Sequence, residues 1–300
     1  MRPLSALCCY IIWIFAGGAL LAPWAFQLVN GLADQSGLFA SWVGVPFHRV
    51  LNRCLIILAL AGLVPFVRQL GVRSSSEIGL MFPPGGMRDF AKCLFIGIGS
   101  IAVLIGVAVV GGGRRLEGGI GAAGWGSLLA KAAAGAFSVA LVEELLFRGA
   151  ILSGFRRTFG WIPALTLSSL VYSAVHFLSA ARWQGPVTWT SGFELLPKMA
   201  VGFTDRTLIV PAFLTLALAG LALGYVYQRQ RHLWGCVALH AGWVFAIRLA
   251  APFAPINGQS DLRLWGSDKV SDGWVGAAVL GLLCLWIIRW KTRPTQGAGK

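Results

Sequence analysis

The sequence predicts an all-α, polytopic membrane protein, because it is strongly apolar and its apolar residues come in long runs. Mean hydropathy is +0.73, and 57% of the residues are hydrophobic against 12% charged. These values are typical of integral membrane proteins and not of soluble domains. The runs lack the strict alternation of apolar and polar residues that indicates β-strands. We therefore predict one polytopic membrane domain over residues 1–300.

A membrane-spanning helix needs about 20 mostly apolar residues, and eight segments of the chain meet this criterion. The second segment carries Arg53 and Arg68, so we expect it to begin at the membrane surface. Residues 71–90 are predicted to be an interfacial linker, and residues 181–206 a re-entrant or lid segment in the interface. The eight predicted segments are residues 5–29, 47–68, 90–110, 126–155, 161–180, 207–227, 233–252 and 273–290.

The net charge of +14 indicates contact with a lipid bilayer and not with nucleic acid. Lysine and arginine stand singly or in pairs along the loops, as expected of juxtamembrane anchors for anionic head groups. The side of the membrane that holds both termini collects slightly more of them, which favours cytoplasmic termini. The short loops favour a prokaryotic inner membrane, and we expect the first segment to be an uncleaved span. No feature of the sequence indicates an oligomeric state.

Two patterns that suggest other functions are excluded by their context. The six cysteines lie within or beside apolar runs without a C-x-x-C spacing, so we interpret them as small apolar residues. Residues 119–124 match G-x-G-x-x-G, but a spanning segment and not a strand precedes them, so we expect no dinucleotide site. A further pattern, Gly220-x-x-x-Gly224, predicts close packing of the sixth segment against a neighbour.

The fourth apolar segment contains the motif Glu143-Glu144-x-x-x-Arg148. Glu144 and Arg148 are i,i+4 neighbours on a helix and can form an ion pair. Glu143 points about 100° away from Glu144 around the helix, away from that arginine. An ionised group inside a membrane is costly, so Glu143 is a candidate for function. The alternative is a buried structural ion pair, which accounts for Glu144 and Arg148 but not for Glu143.

Two histidines lie inside predicted spans, His176 in the fifth and His240 in the seventh. The turn between the fourth and fifth segments is expected near Gly160, with Glu143 about 17 residues before it and His176 about 16 residues after it. At about 1.5 Å per residue both side chains lie about 25 Å from the turn, which brings the acid and the imidazole together. His240 reaches the same depth only if that hairpin extends beyond the membrane.

A carboxylate beside an imidazole can hold a water molecule and take its proton, and a second imidazole can donate to the oxyanion of a tetrahedral intermediate. This set is typical of a peptidase or amidase. Neither a G-x-S-x-G elbow nor an H-E-x-x-H pair occurs. Zinc held by Glu143, His176 and His240 is an alternative, since two histidines and a glutamate form a known catalytic set. We prefer a site without metal or cofactor, because the glutamate is better explained as a base.

These motifs resemble those of the CPBP family of CAAX-processing and bacteriocin-processing intramembrane endopeptidases, which includes the Ras-converting CAAX endoprotease. The resemblance rests on E-E-x-x-x-R, on an aromatic residue four positions before His176, and on the late His240, within residues 125–250. It implies an eight-helix membrane fold with a conical active-site cavity and a glutamic peptidase without metal. Carried over by position, Glu143 and His176 activate the water, and His240 stabilises the oxyanion.

The same resemblance makes Glu144 and Arg148 supporting residues of the site. One mild departure occurs at Tyr172, since the family usually has Phe four residues before the histidine. We expect the Tyr172 hydroxyl to orient His176.

A second departure affects the oxyanion side of the site. The family usually has Asn or Asp four residues after the late histidine, whereas this chain has Val244. The loss of one oxyanion donor typically costs about 2.7–4 kcal/mol of barrier. Our hypothesis is that Trp243, on the same helix face as His240, offers its indole N–H in place of that amide. The alternative is that Trp243 is a packing residue.

The sequence therefore predicts an intramembrane endopeptidase that cleaves a membrane-bound or amphipathic peptide near the basic face of the membrane. The competing hypothesis is a non-catalytic scaffold, immunity or maturation factor that keeps the site as a polar core, and Val244 is its main argument. A transporter is less well supported, because the sequence shows neither an internal repeat nor paired broken helices. No motif identifies the substrate or indicates whether it is prenylated.

Overall fold

A computed structural model describes residues 3–35, 44–72, 74–118, 122–178, 181–203 and 208–290. These described residues are 76% helical, and no β-strand occurs among them. Residues 119–121 of the G-x-G-x-x-G pattern lie outside the described residues. The helices are α1 (Pro3–Gln35), α2 (Phe47–Gln69), α3 (Gly86–Val110), α4 (Ala122–Glu144), α5 (Ser153–Phe159), α6 (Trp161–Val175), α7 (Ser191–Met199), α8 (Ile209–Gln230), α9 (Trp234–Ala250), α10 (Leu262–Trp265) and α11 (Trp274–Arg289).

Five helical segments of the described chain are long and apolar enough to cross a membrane. They are α1, α2, α3, the continuous helix that runs from α4 to the end of α5, and α8. The shorter apolar helices α6, α9 and α11 coincide with the other predicted segments. These helices confirm the sequence prediction of an all-α polytopic membrane protein.

The hairpin between α5 and α6 falls where the sequence predicts it, but α6 is shorter than expected. Gly160 forms the turn with a φ of +79°, a conformation that glycine adopts far more readily than other residues. At its other end α6 stops at Val175, because the N–H groups of Phe177 and Leu178 bond to carbonyls three residues back and tighten the chain into a turn. His176 therefore lies in this turn and not in the helix, which corrects the predicted helical segment 161–180.

Met1–Arg73 and Ala174–Arg206 form a first compact unit, which is built on the hairpin of α1 and α2. Tyr10 Oη and Trp13 Nε1 of α1 donate to backbone carbonyls of α2 at 2.6 and 3.0 Å, so aromatic side chains tie the two helices together. The loop predicted at residues 181–206 contains α7, which packs on α1. This contact requires Gly192, since a Cβ there would lie 2.0 Å from a carbonyl oxygen of α1. That this loop acts as a lid or re-entrant segment stays a prediction.

Ser74–Ser173 and Thr207–Lys300 form a second compact unit, in which α9 contacts α3, α4 and α8. Two glycines let α3 approach α9 closely. A Cβ on Gly97 would lie 2.4 Å from a carbonyl oxygen of α9, and a Cβ on Gly242 would lie 2.5 Å from a carbonyl oxygen of α3. This contact fixes the position of the middle of α9.

Gly220 and Gly224 likewise let α8 approach a neighbour, as the sequence predicts. A Cβ on Gly220 would lie 2.9 Å from the Cα of Ser169, and a Cβ on Gly224 would lie 2.2 Å from the Leu165 side chain. Both of these neighbours belong to α6. The close approach brings the backbone of α8 next to the polar centre of the second unit.

Candidate active site

A buried ion pair forms the base of this polar centre. Arg148 Nη1 donates to Glu144 Oε1 at 3.0 Å, in agreement with the predicted i,i+4 pairing, and both side chains are almost fully buried. Arg148 Nη2 donates to the Gly220 carbonyl oxygen at 3.1 Å. The guanidinium also lies over the Tyr172 ring, 4.7 Å from its centroid. These additional contacts offset part of the desolvation that burying a charge requires.

Arg148 belongs to a π-helix, Leu145–Leu152, which joins α4 to α5. Single π-helical turns are frequent at functional sites, and their wider spiral leaves carbonyl groups open to other donors. Ser153 Oγ donates to the Arg148 carbonyl oxygen at 2.9 Å. Ser168 Oγ donates to the Phe147 carbonyl oxygen at 3.4 Å. The sequence predicts one regular helix here, because no proline or other marker residue indicates the widening.

His240 bridges the two glutamates of the motif. Its Nδ1 lies 2.8 Å from Glu144 Oε1, and its Nε2 lies 3.9 Å from Glu143 Oε2. Because Glu144 Oε1 already accepts a hydrogen bond from Arg148, we assign Nδ1 of His240 as the donor. This hydrogen bond fixes the ring so that Nε2 faces Glu143. Sequence spacing predicts only the contact of Glu144 with Arg148 and not its contact with His240.

The two neighbouring carboxylates have different surroundings. The Glu144 side chain is 0% exposed and bonds to Arg148 and His240, whereas the Glu143 side chain is 27% exposed. One residue step turns the helix by about 100°, so adjacent glutamates point to different environments. The Glu143 side chain is therefore partly exposed, while its Oε2, the oxygen nearest His240, is buried beside an imidazole that a buried ion pair holds in place.

Tyr172 of α6 packs against the same group of side chains. Its ring meets Phe147 edge-to-face with centroids 4.9 Å apart, and it lies 6.3 Å from the ring of His240. Together with the guanidinium above its face, these contacts make Tyr172 a buried wall of the site. The expected contact between its hydroxyl and His176 stays a prediction.

Trp243 lies next to His240 but directs its indole N–H elsewhere. The ring centroids are 6.4 Å apart, and Trp243 Nε1 donates to Ser100 Oγ at 3.0 Å. Ser100 in turn donates to the Gly97 carbonyl oxygen at 2.9 Å. The indole that the sequence analysis assigns to an oxyanion is thus bonded to α3, because Gly97 brings α3 within reach. A lone serine in an apolar run gave no signal of this role.

Part of the chain also matches a known protein family. Residues 125–246 match the model of a protein family described as type II CAAX prenyl endopeptidase Rce1-like. This match supports a relationship of residues 125–246 to the CPBP/CAAX protease family. The resemblance stated from the sequence motifs is thereby confirmed. No curated protein and no solved structure matches the chain. The segment that matches the CAAX protease family contains every predicted site residue, namely Glu143, Glu144, Arg148, Tyr172, His176, His240 and Trp243.

Of the predicted site residues of this CAAX protease domain, the second unit brings together all except His176. His240 lies 2.8 Å from Glu144 and 3.9 Å from Glu143, as described above. His176 belongs to the first unit and is the third residue after the division between the units. The pairing of Glu143 with His176 therefore stays a prediction from the helix lengths.

The described residues contain no group of three His, Cys, Asp or Glu side chains arranged to hold a metal ion. Within the CAAX protease domain, two of the residues considered for zinc, Glu143 and His240, do approach each other at 3.9 Å. The third, His176, belongs to the other compact unit. That the site works without a metal stays a prediction.

Proposed function

We propose that the chain is an intramembrane endopeptidase that hydrolyses a peptide bond of a membrane-associated substrate, using a water molecule activated by Glu143. The observation that carries this proposal is the partly exposed Glu143 side chain, whose Oε2 lies 3.9 Å from Nε2 of the fixed His240 ring. Membership of the CAAX protease family supports a protease activity. Integral membrane helices support a substrate that lies in or on the bilayer.

In this mechanism Glu143 acts first as a general base and then as a general acid. It takes a proton from the water as the water oxygen attacks the carbonyl carbon of the scissile bond. The resulting tetrahedral intermediate carries an oxyanion. Glu143 returns the proton to the leaving nitrogen, the C–N bond breaks, and an acid and an amine are released. General acid–base catalysis of this kind contributes about 10²–10⁴-fold to the rate.

His240 can donate a hydrogen bond to the oxyanion only in one protonation state. Its Nδ1–H donates to Glu144, so a neutral ring offers a lone pair at Nε2, and only an imidazolium offers an N–H there. Glu144 on one side and Glu143 on the other are placed to stabilise that positive charge. We therefore propose that His240 acts as an imidazolium when it donates to the oxyanion.

In this mechanism Glu144 and Arg148 do not contact the substrate. They position the side chains that do. Arg148 donates to Glu144, and Glu144 orients His240. The π-helical turn and the contact of Arg148 with Gly220 fix the pair against α8. We propose that His176 completes the water site opposite Glu143, as the family resemblance implies.

The proposed substrate is a membrane-bound or amphipathic peptide or protein cleaved near the basic face of the membrane. We propose that both termini lie in the cytoplasm of a prokaryotic cell and that the domain sits in the inner membrane, because of the distribution of lysine and arginine among the loops. Whether the substrate is prenylated, as in the description of the family, is part of the test below.

A second candidate function is a scaffold or maturation factor without catalysis. It is favoured by Val244, which stands where the family has an amide or acid, and by the bond of Trp243 to Ser100. Both observations reduce the number of donors that face an oxyanion. A scaffold would need the polar centre only for packing.

Purified full-length protein in detergent, incubated with a library of prenylated and unprenylated membrane peptides, tests both functions. Cleavage is read by mass spectrometry, with and without a chelator. We expect cleavage by the wild type in the presence of chelator, and loss of cleavage in Glu143→Gln with an unchanged unfolding temperature. Glu117→Gln, at an exposed loop carboxylate, is the matched control and should cleave like the wild type.

The outcomes separate the hypotheses. Cleavage that chelator abolishes and zinc restores would replace the proposed mechanism by a metal-dependent one. Equal cleavage by the wild type and Glu143→Gln would show that Glu143 is not the base. If neither protein cleaves any peptide but the Glu143→Gln variant retains the biological activity of the wild type in cells, the scaffold function is correct.

A further inference from the structure

A groove at one end of α3 and α11 lies outside the polar centre and combines positive charge with apolar surface. Its volume is about 580 Å³. Its lining includes Arg88, Lys92 and Phe95 from α3, and Trp286 and Trp290 from the end of α11. Because α3 begins at Gly86 as a candidate membrane span, the two cations stand in its first turns, where head groups meet the hydrocarbon layer. No step of the proposed peptide hydrolysis uses this groove.

The cations of the groove are placed to share an anion. Arg88 and Lys92 are i,i+4 neighbours on α3, so their like charges lie side by side and repel each other. Lys92 is 3.9 Å from Asp89, but these side chains are 45% and 46% exposed, and exposed pairs of this kind interact weakly. A phosphate between Arg88 and Lys92 would remove the repulsion and accept hydrogen bonds from both side chains.

The rest of the groove suits an acyl chain. Trp286 and Trp290 form the wall on α11, stacked with ring centroids 5.3 Å apart. Phe95 is 70% exposed and Trp286 is 50% exposed, which leaves apolar surface uncovered by protein. Phe95 lies further along α3 than the cations, toward the middle of the span. The polar and apolar parts of the groove thus follow each other in the order of a phospholipid head group and its tail.

We propose that this groove binds one anionic phospholipid, with its phosphate between Arg88 and Lys92 and an acyl chain along Phe95 and Trp286. An anionic head group leaves the phosphate charge uncompensated, whereas a choline head group places a further positive charge beside the two cations. Each basic side chain near a membrane surface contributes to the attraction of anionic lipid. A soluble phosphate would lack the contacts with the aromatic wall.

The bound lipid also acts on the helix that supports the active site. Helix α3 contacts α9 through Gly97, and Ser100 of α3 accepts the hydrogen bond from Trp243. A ligand that binds the folded state but not the unfolded one raises the unfolding temperature. We therefore expect anionic lipid to stabilise the second unit.

The test compares phosphatidylglycerol with phosphatidylcholine of the same acyl chains, added to the purified full-length protein in neutral detergent. Native mass spectrometry counts retained lipids, and thermal unfolding reports stabilisation. We expect one phosphatidylglycerol to bind about tenfold or more tightly than phosphatidylcholine and to raise the unfolding temperature. The double substitution Arg88→Gln with Lys92→Gln should abolish this preference, while Trp286→Leu should weaken the binding of both lipids.

The matched control is the double substitution Arg49→Gln with Arg53→Gln. These two residues are an exposed basic i,i+4 pair in the first turns of α2. This control should keep the tight site. Inorganic phosphate at millimolar concentration should neither displace the lipid nor shift the unfolding temperature; displacement would assign the site to a soluble anion. A phosphatidylglycerol preference that survives in the Arg88 and Lys92 variant would overturn the proposal. If that variant does not fold, unchanged lipid binding in Trp286→Leu would overturn it equally.

Discussion

Glu144 accepts a hydrogen bond from His240 Nδ1 at 2.8 Å, and this contact links the buried ion pair to the accessible part of the site. The same oxygen, Oε1, also accepts from Arg148. One carboxylate atom therefore sets both the protonation at Nδ1 and the direction in which Nε2 points.

The two nitrogens of His240 should be separable by substitution. In His240→Asn the amide nitrogen replaces Nδ1 and can still donate to Glu144, whereas nothing replaces Nε2. We expect turnover to fall by about 10²–10³-fold with a nearly unchanged free energy of unfolding, because only the oxyanion donor is lost. His240→Leu should lower both turnover and stability, since it also removes the donor to Glu144. Equal unfolding curves for the two variants would contradict the orienting contact. Single-turnover cleavage and chemical unfolding are the measurements.

Glu144 should matter for stability more than Glu143 does. Glu144→Leu leaves the Arg148 guanidinium buried without its carboxylate, and breaking a buried pair in this way typically costs about 3–5 kcal/mol. Glu143→Gln should change the free energy of unfolding far less, since its side chain is partly exposed. The double variant Glu144→Leu with Arg148→Met should recover most of the loss, because it removes both charges. Denaturant unfolding of the four proteins measures this, and a double variant no more stable than Glu144→Leu would argue against the ion pair.

The bond between Trp243 and Ser100 distinguishes packing from catalysis. If the indole only positions α9 against α3, Trp243→Phe and Ser100→Ala each lose one hydrogen bond, worth about 0.5–1.5 kcal/mol of stability, and affect turnover alike. If the indole changes partner and donates to the oxyanion during the reaction, Trp243→Phe should lower turnover far more than Ser100→Ala. From the structure we expect the first result. A large and selective loss of turnover in Trp243→Phe would instead restore the oxyanion hypothesis.

Val244 offers a gain-of-function test. It lies four residues after His240 on α9, so an amide at this position would lie on the same helix face. An additional oxyanion donor is worth up to about 10²–10³-fold in turnover, so we expect Val244→Asn to cleave faster than the wild type. Val244→Leu serves as the control for size. Equal rates of cleavage in Val244→Asn and the wild type would indicate that another group already donates a hydrogen bond to the oxyanion.

Gly97 should be required for the position of α9. A Cβ in Gly97→Ala would lie 2.4 Å from the Leu239 carbonyl oxygen, so α3 and α9 must move apart. We expect lower stability and at least a tenfold loss of turnover, because His240 follows Leu239 directly. Gly99→Ala, on the same helix with no atom within 4 Å of the added Cβ, should be neutral or slightly stabilising. Similar behaviour of the two variants in unfolding and cleavage assays would remove the argument for this contact.

The fold was largely predictable because its signals are local. The length of an apolar run sets the length of a spanning helix, and a glycine such as Gly160 marks the turn between two of them. The prediction was wrong where a helix ends inside an apolar run. Nothing in the composition after Val175 indicates that the backbone tightens there, so His176 was placed in a helix instead of a turn.

The sequence predicts which residues form the site, but it does not predict all the contacts between them. The spacing of Glu144 and Arg148 on one helix predicts their ion pair, because four residues bring the side chains together whatever surrounds them. The contact of Glu144 with His240 joins residues that are 96 positions apart. Helix periodicity carries no information on such a pair.

The sequence by itself determined that this is a helical membrane protein and which helix carries its paired carboxylates and arginine. These properties depend on hydrophobicity and on spacing within one segment, and both are read directly from the order of residues. Only the tertiary structure decided which carboxylate is buried, which nitrogen of His240 faces Glu143, and that Trp243 donates to Ser100. The physical reason is that these contacts depend on how closely neighbouring helices approach, which glycines such as Gly97 and Gly220 set through the space that they leave for another backbone.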